Sequence, residues 1–122
     1  MNTQQLQLVT FEQAKRLKEL GFNWENTNFY NSVKVLFKER NISDHNFFKQ
    51  RFSAPTIALA LKWFRDEKCI ISEITSSLSS CGWSYTFYIN PIMPDELIAE
   101  FNTYESAESA LLNELLTLLE KK

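Results

Sequence analysis

Glycine and histidine are nearly missing from this chain: two Gly and one His in 122 residues, where Gly alone averages about 7%. With only Gly21 and Gly82, no Gly-rich phosphate loop or dinucleotide fingerprint can be built. A single histidine, His45, excludes two-His zinc motifs and leaves one candidate base for any Ser–His or Cys–His pair. Long apolar runs are also missing. The longest, Ile57-Ala58-Leu59-Ala60-Leu61, is far short of the roughly 20 residues of a membrane helix. Met1–Gln5 has neither the basic region nor the apolar core of a secretory signal. Two cysteines in such a chain suggest free thiols in a reducing compartment, so the expected location is cytoplasmic. No membrane, metal or cofactor is expected as a partner.

What is present describes a soluble globular chain: 44% hydrophobic and 23% charged residues. The length suits one domain over 1–122, with 1–9 a flexible lead-in. The net charge of −2 hides an asymmetry. Residues 1–68 carry eleven Lys/Arg against seven Asp/Glu, and residues 69–122 carry two against eight. Such halves suit a nucleic-acid-facing surface or head-to-tail self-complementarity, unless folding mixes them.

The first helix is punctuated at both ends. Thr10 and Gln13 make a capping box, Phe11, Ala14 and Leu17 an apolar stripe, and Gly21 with Phe22 a Schellman stop. The helix should span about 11–20. Residues 22–53 scatter aromatics among Asn and charge, with a strand expected near 33–38. A second helix, about 55–68, follows from Ile57, Ala60, Leu61 and Phe64, with Pro55 in its first turn and Ser53 or Thr56 as cap. Ile70, Ser72 and Ile74 open a strand. After the loop 76–82, Trp83, Tyr85, Phe87 and Ile89 alternate with polar residues, completing an antiparallel hairpin. Glu96–Phe101 adds a short third strand, and Thr103 caps a last helix over about 104–120. At about 100° per residue, that helix carries two adjacent stripes, Ala107/Leu111/Leu115/Leu118 and Leu112/Leu116/Leu119. Either other elements clasp it on two sides or a second subunit covers the surplus.

Candidate chemistry is thin. With the hairpin turning around 76–82, Cys69 faces a residue near 88. Cys81 is then roughly 20 Å away, too far for a disulfide. His45 follows Ser43 and Asp44, but such neighbours seldom face one another, and a surface-loop histidine is expected. The carboxylate pairs Asp66-Glu67 and Glu105/Glu108 read as solvated helix faces, and Asp95-Glu96 as turn chemistry. The most specific cluster sets Lys34, Lys38, Arg40, Lys49 and Arg51 among Phe37, Phe47, Phe48 and Phe52. Cations for phosphates and rings for bases are what single-stranded nucleic acid requires, although Phe in a small domain is mainly core.

Four stretches carry a resemblance: Thr10–Lys15 running to Gly21-Phe22-Asn23, Ala54-Pro55-Thr56 with Ala60–Arg65, Trp83–Ile89, and Tyr104–Leu111. Together they resemble a family of small uncharacterised proteins encoded by phages and prophages of gut bacteria. Phe64, where that family has Leu, and Lys68-Cys69 depart from its pattern, and 24–52 has no counterpart. The resemblance implies a phage-related origin and assigns no activity.

The fold expected is α+β: a single small domain, with an antiparallel hairpin or three-stranded sheet packed against two or three helices. The function expected is a non-enzymatic protein-interaction or self-assembly module, partnered by a protein or a second copy through Leu112, Leu116 and Leu119 or the exposed aromatics. The alternative is nucleic-acid binding through 34–52.

Overall fold

Local capping fixes the first element. The computed structural model describes residues 6–76, 82–89 and 98–120, without the side chains of 40–41, 88–89 and 98–100. In helix α1 (Phe11–Glu19), Thr10 Oγ1 accepts from the Gln13 amide and Gln13 Oε1 accepts from the Thr10 amide, at 3.2 and 2.9 Å. At the far end Gly21 has φ +97°, and the Phe22 and Gly21 amides donate to the carbonyls of Leu17 and Lys18. This is the expected Schellman stop. Of the lead-in 1–9, residues 1–5 lie outside the described residues. Residues 7–9 are pinned rather than flexible: Val9 is buried and donates to the Pro55 carbonyl, Gln7 accepts from Ile57, and Leu8 bridges Thr56.

Residues 22–53 form a three-stranded antiparallel sheet in the order β2-β1-β3, from β1 (Asn26–Asn31), β2 (Leu36–Ser43) and β3 (Arg51–Ser53). The strand expected near 33–38 is displaced because Asn31 shapes a turn there. Its Oδ1 accepts from the amides of Val33 and Val35, and Lys34 takes φ +69°. One face of this sheet packs on α1, where Phe11 meets Tyr30 and Phe52 edge-on at 5.7 and 5.2 Å.

Helix α2 (Ile57–Lys68) starts two residues later than expected. Thr56 is its cap, while the Val9–Pro55 hydrogen bond holds Pro55 outside the helix. A second antiparallel sheet, ordered β4-β5-β6, joins β4 (Ile70–Ser76), β5 (Trp83–Ile89) and β6 (Ile98–Phe101). The expected hairpin is present with unbroken register from Ile70↔Ile89 to Ser76↔Trp83. The loop 77–81, Cys81, and the turn residues Pro91, Pro94 and Asp95-Glu96 lie outside the described residues. Thr103 Oγ1 accepts from the Ser106 amide, capping α3 (Tyr104–Glu120).

The described residues thus form a small α+β domain with three α-helices and two sheets, one sheet more than expected. Phe22, Ile57, Phe64, Ile70 and Leu111 are closed to solvent in one core. Such side chains each contribute about 1.5–3 kcal/mol on burial. The wide apolar arc of α3 is used within the chain. Leu112 and Leu116 are 0% exposed and Leu119 is half-buried, because α3 packs against α1, α2 and the second sheet. This corrects the expectation that Leu112, Leu116 and Leu119 offer a self-association stripe.

Candidate functional site

Apolar side chains excluded from the core gather on the first sheet. Seven of the nine exposed large hydrophobics among the described residues lie between Val33 and Phe48. The Asn31 turn throws Val33 and Val35 outward, and β2, an edge strand, presents Leu36, Phe37 and Ile42. A single 3₁₀ turn (His45–Phe47), capped by Asp44, then projects Phe47, 81% exposed, and Phe48.

Polar bonds hold this apolar display rigidly. Asn46 donates to the Phe22 carbonyl at 2.8 Å and accepts from the Ser53 amide at 2.8 Å, tying the turn to the core. The Lys18 ammonium donates to the carbonyls of Phe48, Lys49 and Arg51 at 2.7, 3.2 and 2.7 Å, and lies over the Phe52 ring. Burial lowers its pKa. Arg51 stacks between Phe29 and Phe48, 4.5 Å from each ring, and pairs with Glu39 at 3.5 Å. Phe29 in turn stacks on Phe37 at 5.3 Å.

The basic residues singled out from sequence therefore have unequal fates. Lys38 and Lys49 are exposed, with no ion pair among the described residues. Lys34 points toward Glu12 at 3.8 Å and over Phe11, while Arg51 is clamped as above. The side chain of Arg40 lies outside the described residues. Elsewhere in the basic half, Arg16 pairs with Glu120, and Lys62 and Arg65 with Asp66. Folding consumes much of the apparent basic character.

His45 is not on the surface. It is 0% exposed, its ring 4.7 Å from that of Phe29, with Arg51 Nη1 3.4 Å from its Nδ1. Desolvation lowers its pKa, opposed chiefly by Glu39. Ser43 Oγ lies 3.3 Å from Nδ1 and 3.4 Å from Nε2, over the ring face and not in line with either nitrogen, so the two are not aligned as a nucleophile and its base. His45 is closed to solvent while Ser43 is half-buried. Among the described residues no group of three His, Cys, Asp or Glu converges as a metal site, and no helix is long and apolar enough to cross a membrane. Cys69 is a free, exposed thiol.

Glu108 is a second departure. Its expected solvated face is instead buried, and the side chain lines a groove between α2 and α3. Position three after Glu105 concealed this, because the burial is imposed by partners remote in sequence. No protein-family model, curated protein or solved structure matches the chain.

Proposed function

We propose that the chain is a non-enzymatic interaction module that self-associates through the apolar surface spanning Val33–Phe48. The observation carrying this reading is the concentration of exposed Val, Leu, Ile and Phe along the edge strand β2 and the turns at its two ends, since such patches mark interaction sites on soluble domains. The Lys18 and Asn46 bonds support it by fixing the turn that carries Phe47 and Phe48, reducing the ordering cost of association there. The resemblance to phage-encoded proteins, and a cytoplasmic setting suited to the Cys69 thiol, accord with a module of this kind.

Sedimentation velocity across micromolar concentrations tests it. The wild-type chain should dimerise, and the double variant Phe37→Ser/Phe47→Ser should be monomeric with an unchanged far-ultraviolet spectrum. A wild-type monomer throughout would falsify self-association.

A second reading, single-stranded nucleic-acid binding, draws on Lys38 and Lys49 beside Phe37, Phe47 and Phe48. Lys34 and Arg51 of this cluster are held by Glu12 and Glu39, which makes it the lesser one, because affinity grows with the number of phosphates neutralised. A salt titration against a fluorescent oligonucleotide decides it, and no binding at low salt ends it.

A further inference from the structure

Residues of α2, β4 and α3, none of them in the Val33–Phe48 surface, line a groove of about 230 Å³. That is below the roughly 300–1,000 Å³ of drug-sized pockets, so its occupant must be small. Leu61 and Leu111 line its apolar part and Tyr104 stands at one wall. Into it faces Glu108, only 6% exposed, and among the described residues no hydrogen bond or salt bridge engages its carboxylate. Burial and the neighbouring Glu105 push its pKa upward. A carboxylate with so little water around it is weakly solvated, and an arriving cation offsets that cost. The groove is also lined by cations, Lys62 and Arg65 of α2. Both lean on Asp66, Arg65 through Nε at 3.4 Å, and no bond engages Arg65 Nη1 or Nη2 among the described residues.

We propose that this groove binds a small zwitterion, an α-amino acid with an aliphatic side chain. Its ammonium pairs with Glu108, its carboxylate with Arg65, and its side chain lies against Leu61 and Ile74. An amine alone would leave the cationic wall unmatched, and a carboxylic acid alone would meet Glu108 as a like charge. The groove shares no residue with the Val33–Phe48 surface, so the proposal stands independently of self-association.

Isothermal titration calorimetry on the full chain near pH 7 tests it with three probes: L-leucine, 3-methylbutylamine and 4-methylpentanoate. Leucine should bind saturably, and each single-charge analogue about tenfold more weakly or worse. Glu108→Gln should weaken leucine by about tenfold or more. Arg65→Ala, at an exposed position, should weaken leucine and 4-methylpentanoate while leaving 3-methylbutylamine unchanged. No leucine binding at about 10 mM, equal binding of leucine and the amine, or undiminished binding by Arg65→Ala overturns the proposal.

Discussion

Cys69 closes α2 in the left-handed region, at φ +58°, where a Cβ costs roughly 1–2 kcal/mol and glycine costs nothing comparable. Cys69→Gly should therefore raise stability by about 1 kcal/mol, read as a higher denaturant midpoint with unchanged slope. His45 presents the opposite case, a titratable group held neutral. Because burial lowers its folded pKa below the usual 6.5, the unfolded chain binds the extra proton first as pH falls. Its contribution is complete above about pH 6.5 and declines below it. Thermal unfolding between about pH 7.5 and pH 5 should show the midpoint falling, and His45→Gln should flatten that fall. These two residues also mark how far sequence reading reaches. Thr10, Gln13, Gly21 and Phe22 were legible because each cap is satisfied within a few positions. The burial of His45 was not, since it depends on Phe29 and Arg51.

Among the elements, α3 shows why a pattern can be read correctly and assigned to the wrong partner. Its two leucine stripes were plain, but periodicity does not say whether the covering surface belongs to the same chain. Here Gln13 of α1 donates to Ser109 and Asn113 at 3.1 and 3.0 Å, and Tyr85 of β5 donates to Glu114 at 2.6 Å. The helix is grasped from two sides. Leu112→Ala should consequently cost about 3 kcal/mol in chemical denaturation without altering the sedimentation coefficient of the folded chain. Loss of association without loss of stability would return Leu112 to the surface. On the same helix, Glu108→Gln should raise the melting temperature near pH 7 and leave it unchanged near pH 4. Because the carboxyl pKa is raised by burial and by Glu105, the unfolded chain ionises first as pH rises above about 4.5, and the loss of stability is complete once pH passes the folded value. Strand β5 was legible for the reason α3 was not fully so. Its alternation of Trp83, Tyr85 and Phe87 needs one sheet face, and β4 lies next to it in sequence. The 33–38 region failed because a side chain, Asn31, and not hydrophobic alternation, sets the turn.

Across the whole molecule, the charge division along the chain does not survive as a division in space. Arg16 on α1 reaches Glu120 at the end of α3, joining the basic and acidic halves. What survives is an apolar asymmetry, with Ile70 and Tyr85 of one sheet buried in the core and Phe37, Phe47 and Phe48 on and beside the other in the open. If that surface associates by burial of apolar groups, self-association of the wild-type chain should weaken little between about 0.05 and 0.5 M salt, measured by sedimentation. A steep decline would point to the lysines. One consequence of the clasp around α3 concerns synthesis. The core residues Leu17, Ile57 and Phe64 are all translated well before Leu111, Leu115 and Leu116, which close the same core. At about 5–20 residues per second, the nascent chain spends seconds with its central helix uncovered. Until α3 is available to pack, Ile57 and Phe64 present to water the apolar surface that Leu111, Leu115 and Leu116 later cover.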